Sequence, residues 1–226
     1  MQGTGGVGIC VIMIKKLNYI VIYSLPFLLL LTTYYAFHLF RQIFEEKTAY
    51  FLGFVFYWLF WCIAVPLYIL GTKSLTELLK ARPPIFGKHK IRNIAFLVLP
   101  LIIVYCYEFP KVFIHTNFLI IVCSLGLSFI NAIAEEILWR GTFLKLMGDN
   151  SKWYILFSSF GFALWHFAPL SIIGNQNPGG SLSFVAISFL LGLTYSTVSK
   201  DNKSILLTVV SHILFDFSGL GARIYF

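Results

Sequence analysis

The sequence predicts an all-α fold: a polytopic transmembrane helical bundle of about seven spans, with its N-terminus in the cytoplasm. Composition is the first reason. Of 226 residues, 58% are hydrophobic and only 12% charged, with a mean hydropathy of +0.83, too little polar surface for a soluble domain of this length. Run length is the second. The apolar residues come in stretches near or above the ~18 that cross hydrocarbon as a helix, not in the short alternating segments of a membrane barrel. The third is the distribution of Lys and Arg between those stretches, which orients them.

The apolar segments lie at about 17–40, 50–70, 93–108, 117–146, 153–173, 182–199 and 203–221. The first follows Lys15-Lys16. It is too long for a signal-peptide core and lacks a small-x-small cleavage site, so it reads as a span. Met13-Ile14-Lys15-Lys16 has the form of a natural start, and the apolar stretch 7–14 is too short to span. Residues 1–16 are therefore expected to be an N-terminal extension, foreign to the natural chain before Met13. Residues 17–226 are expected to form a single membrane domain. The second segment leads into 71–92, the main cytoplasmic loop, where Lys73, Lys80, Arg82, Lys88, Lys90 and Arg92 flank Pro83-Pro84. This reads as a topology anchor on anionic lipid. The third segment is short and ends at Glu108-Phe109-Pro110-Lys111. The fourth is long, roughly 45 Å at 1.5 Å per residue, so its C-terminal third is expected to project beyond the hydrocarbon. Residues 175–180 form an outer turn between the fifth and sixth. With seven spans, thirteen of the seventeen Lys and Arg fall on one side; without the third the split is ten to seven. The bias puts the N-terminus inside and the C-terminus outside, in a multi-pass protein of the cell membrane.

The net charge of +8 serves that topology and meets lipid headgroups, so no nucleic-acid partner is expected. Cys10, Cys62, Cys106 and Cys123 lie far apart with no CxxC pair. That gives neither a disulfide framework nor a thiolate zinc site, and they read as small apolar core residues.

Against this background the charges in Ala134-Glu135-Glu136-Ile137-Leu138-Trp139-Arg140 stand out, because 117–133 carries none. An ionisable group at bilayer depth costs about 2.5–3.5 kcal/mol or more. Two later segments each carry a histidine, His166 and His212. Counted along ideal helices from the cytoplasmic ends, Glu135 lies about 18 Å in, His166 about 21 Å and His212 about 14 Å. Three segments thus place strongly polar groups in one layer, as a single buried site requires. Glu136 and Arg140 are four apart and share a helix face, where they can pair; Glu135 points about 100° away, toward the bundle centre. His212 and Asp216 are also four apart, as are Phe162 and His166, whose rings can pack together. His38, His89 and His115 sit at span ends or in a loop and read as solvated; Trp139 and Trp165 read as packing.

A buried carboxylate beside two imidazoles can activate water. The carboxylate serves as general base, and the histidines position the water and donate to a developing oxyanion. No Ser, Thr or Cys stands at matching depth with an obvious base, which disfavours an acyl-enzyme. Two His and a Glu could also hold zinc, but the strong signature of two His one turn apart with Glu between is absent. The residues alone give a water-activating hydrolase with metal undecided. A non-catalytic scaffold with a polar core and a proton-coupled transporter are the rivals; the chain lacks the inverted halves of many transporters.

Glu135-Glu136-x-x-x-Arg140, Phe162-x-x-x-His166 and His212-x-x-x-Asp216, in that order, resemble the three motifs of the CPBP family of intramembrane proteases. That family includes type II CAAX prenyl endopeptidases and bacterial abortive-infection and bacteriocin-immunity proteins. The resemblance covers about residues 117–221, the expected catalytic core. It implies a glutamate-dependent, metal-independent endopeptidase with no cofactor. Glu135 would be the base, His166 would help bind the water, and His212 with residue 216 would stabilise the oxyanion. Glu136, Arg140 and Phe162 would support them. The prenyl-protease pattern has Asn at 216. An ionised Asp216 accepts but cannot donate, so its use would be to hold His212 as the donor. Nothing points to a prenylated substrate; the short loops suit a bacterial-type member acting on a peptide or a membrane protein. A non-catalytic bacteriocin-immunity role is the alternative within this resemblance.

Overall fold

The computed structural model describes residues 5–148, 151–175 and 179–226, with side chains described at Ile20 and from Ile22 onward except Ser151. The described residues are helices and connections without strands. Helix α1 spans Gly5–Ile43 and α2 spans Glu46–Leu78. They are followed by α3 (Lys90–Tyr107), the short α4 (Phe109–Phe113) and α5 (Phe118–Met147). Next come α6 (Ser151–Trp165), the single turn α7 (Phe167–Leu170), α8 (Gly180–Asn202) and α9 (Leu206–Ser218), then a 3₁₀ turn at Gly221–Ile224.

Each of the seven expected segments is helical. Five contain stretches long and apolar enough to cross a membrane, including 93–108, the weakest in sequence. The protein is an all-α, multi-pass membrane bundle whose outer faces meet lipid. Helices α6 and α9 have 15 and 13 residues, about 22 and 20 Å long at 1.5 Å per residue.

Three boundaries differ from the sequence reading. Helix α2 does not stop at residue 70. Gly71 takes φ +72° and ψ 163°, a conformation strained for any side chain, and the helix resumes to Leu78. Its last turn is anchored: Leu75 and Leu78 pack with Ile205, Val209 and Ile213, and the Leu78 carbonyl accepts from Ile205 N (2.9 Å) and Ser204 Oγ (3.0 Å). The loop proper is 79–89. Its His89 is exposed, as read from the sequence, and also bonds Asp201 through its backbone N (3.0 Å) and Nδ1 (3.3 Å). Finally, the segment 153–173 breaks at His166, because Pro169 has no N–H to continue the ladder to Trp165. Part of the outer turn, residues 176–178, lies outside the described residues, as does the side chain of Cys10. Of the other cysteines, Cys62 is buried as expected, whereas Cys106 is exposed on the bundle surface.

Two features position the site. One is an aromatic core in which Tyr57, Trp58 and Trp61 of α2 meet Trp139 and Phe143 of α5 and Phe162 and Trp165 of α6. The other is a pair of π-helical turns facing each other, Tyr57–Ala64 in α2 and Glu136–Thr142 in α5. Such turns rotate the following side chains relative to an α-helix and recur at functional sites.

Candidate active site

The polar layer expected from sequence is one buried cluster. Glu135 is 1% exposed, and Glu136 and Arg140 are fully buried. They project from α5, at its junction with the π turn, toward His212 of α9 (3% exposed). His212 Nε2 lies 3.5 Å from Glu135 Oε2 and 3.4 Å from Asp216 Oδ1, while Nδ1 lies 3.0 Å from Glu136 Oε1. Three carboxylates therefore surround one imidazole and use both its nitrogens. The His212–Asp216 spacing behaves as sequence suggested. The His212–Glu136 bond crosses between helices and had no signal in the spacing.

Glu136 also faces Arg140, with Oε1 to Nη1 at 3.1 Å. The approach is close enough for an ion pair but off-axis for a hydrogen bond. The guanidinium is held further by rings, its Cζ 4.1 Å from the Phe162 centroid and 5.5 Å from that of Tyr195. Arg140 thus lies inside the bundle, which balances part of the cluster's negative charge.

His166 of α6 is 9% exposed and joins the cluster indirectly. Its Nδ1–H donates to the Phe162 carbonyl (2.7 Å), so in the neutral ring Nε2 is the nitrogen that accepts. The Phe162 ring packs edge-on against both imidazoles, with centroids 4.9 Å from His166 and 6.0 Å from His212. Among the described residues no hydrogen bond or ion pair joins His166 to Glu135; Phe162, packed on both imidazoles, joins His166 to His212. Trp165 and Phe184 close the other sides of the His166 ring.

Sequence reasoning missed the residues that hold the acids. Asn131, one turn before Glu135 on α5, donates through Nδ2 to Glu135 Oε2 (3.2 Å) and Asp216 Oδ2 (2.8 Å). Its spacing to Glu135 was legible; its contact with α9 was not. Tyr57 OH donates to Glu135 Oε1 (3.2 Å) and accepts from Trp139 Nε1 (2.7 Å). Trp58 Nε1 donates to Asn131 Oδ1 (2.8 Å). Helix α2, outside the expected core, is therefore part of the site's wall. Trp139 and Trp165 do pack in the core, as expected, and Trp165 stacks on Tyr57 at 3.6 Å. Among the described residues, no group of three or more His, Cys, Asp and Glu has the arrangement of a metal site.

A desolvated carboxylate, an imidazole within reach of it, and a second imidazole across an aromatic ring form a set able to polarise water and steady an anion. Residues 117–218 match the family model described as type II CAAX prenyl endopeptidase Rce1-like. No curated protein and no solved structure matches the chain. The matched stretch carries all seven motif residues, from Glu135 to Asp216, and over it the chain is similar to the Rce1-like type II CAAX prenyl endopeptidases.

Proposed function

We propose that the chain is a glutamate-dependent intramembrane endopeptidase that hydrolyses a peptide bond near the cytoplasmic leaflet. The observation that carries this reading is the meeting of Glu135 with His212 and Asp216 in one buried cluster, built from two helices of the family-matched stretch. Glu135 takes a proton from water, and the resulting hydroxide oxygen attacks the scissile carbonyl carbon. His166 helps hold that water through Nε2. The tetrahedral oxyanion is met by the Nε2–H of His212. The C–N bond then breaks, and the leaving amine takes the proton that Glu135 holds.

Each supporting residue has a role in that cycle. Asp216 cannot donate to the oxyanion; with Glu136 it keeps His212 in a donating state and orientation. Arg140 offsets the three acids, and Phe162 fixes the relative placement of the two rings. The substrate is a peptide precursor or a membrane-protein segment. The Lys and Arg bias supports the cytoplasmic placement.

The test is cleavage of a pool of bacterial precursor peptides and single-span membrane proteins by the purified protein, wild type against Glu135→Gln, each with and without chelator. The expected result is cleavage by wild type that resists chelator and vanishes in the folded Glu135→Gln variant. Glu135→Gln cutting at the wild-type rate contradicts the reading, and so does loss of wild-type cleavage on chelation.

A further inference from the structure

Asn131 lies outside the three motifs, yet it bonds two of the cluster's acids, Glu135 and Asp216. Glu135 Oε2 and Asp216 Oδ1 both approach His212 Nε2, at 3.5 and 3.4 Å. Two acids converging on one nitrogen repel each other, and burial strengthens that repulsion. The Asn131 amide lies between them. It has two N–H hydrogens, one for Glu135 Oε2 at 3.2 Å and one for Asp216 Oδ2 at 2.8 Å.

The orientation of that amide is fixed from the opposite side. Asn131 Oδ1 accepts from the Trp58 indole at 2.8 Å, and an indole N–H only donates. A flipped amide would set its oxygen against two carboxylates and its NH₂ against an N–H. Every contact would then be mismatched. Trp58 in turn is seated by packing against Phe54 one turn earlier on α2, with centroids 5.5 Å apart. A line of dependence thus runs from α2 through Asn131 on α5 to Asp216 on α9.

We infer that Asn131, aligned by Trp58, is a positioning residue that sets the separation of Glu135 and Asp216 around His212. The inference rests on the peptidase reading above. Its role is transmitted through the two acids, so substrate binding is untouched and the chemical step is slowed when it is lost.

The experiment follows kcat and KM on a peptide that the wild type cleaves, in proteoliposomes, with Glu135→Gln run in parallel. Asn131→Leu, of similar size, is expected to lower kcat on the order of 10- to 100-fold, as misplaced catalytic groups do, with KM unchanged within about twofold. Trp58→Phe is expected to lower kcat less. The double variant is expected to be no slower than Asn131→Leu, because Trp58 acts through Asn131. A wild-type kcat in folded Asn131→Leu overturns the inference, as do losses that multiply in the double variant. Should Asn131→Leu not fold, a charge exchange serves instead. Asn131→Asp adds an acid and is expected to be slow, and Asp216→Asn in the same chain restores an amide opposite a carboxylate and is expected to recover activity. Equal rates for those two variants overturn the inference. An active Glu135→Gln defeats the peptidase reading itself. An inactive Glu135→Gln beside a fully active Asn131→Leu defeats only the role of Asn131.

Discussion

Arg140 illustrates how full charge is kept inside an apolar bundle. It has no exposed surface; it pairs with Glu136 at 3.1 Å and lies over the Phe162 ring. Removing one partner of such a pair leaves the other charge buried and uncompensated, at about 3–5 kcal/mol. Arg140→Met is therefore expected to destabilise by about that much in denaturant unfolding in detergent, and Glu136→Gln/Arg140→Met by clearly less. Equal losses contradict this view of the pair. The pairing was legible because i and i+4 share a helix face. The Glu136–His212 and Asn131–Asp216 bonds were not, because contacts between helices leave no spacing in the chain. Tyr57 and Trp58 were hidden for another reason: in an aromatic-rich span, a ring that also donates a hydrogen bond looks like one that only packs.

Helix existence was legible from apolar run length in all seven segments, while helix interruptions were not. Gly71 and Pro169 break their helices through backbone chemistry that a hydropathy pattern smooths over. The π turns at Tyr57–Ala64 and Glu136–Thr142 add one residue per turn without changing composition. Close packing of α6 on α8 depends on Gly192, where a Cβ would lie 2.8 Å from Ser159 Cα and Cβ. Backbone there cannot yield as a flexible side chain can. Gly192→Ala is expected to cost about 1–3 kcal/mol in thermal unfolding. Gly126→Ala on α5, where a Cβ meets nothing within 4 Å, is expected to be neutral or slightly stabilising. A reversed order contradicts the packing described here.

For the molecule as a whole, fold class followed from hydropathy alone, and orientation rests on the placement of Lys and Arg. That orientation predicts that single cysteines introduced at Lys88 and Lys111, in a cysteine-free background, label from opposite faces of sealed vesicles, position 88 from the cytoplasmic face. Labelling from one face contradicts it. The fold brings together three carboxylates, two imidazoles and a guanidinium from segments far apart in sequence, and the central claim is that Glu135 uses this setting to drive water onto a peptide bond. The direct measurement is cleavage in ¹⁸O-labelled water, followed by mass spectrometry of the new C-terminus. Wild type is predicted to place one labelled oxygen in the product carboxyl group, with no product from folded Glu135→Gln at any time. Labelled product from Glu135→Gln at the wild-type rate would contradict the account.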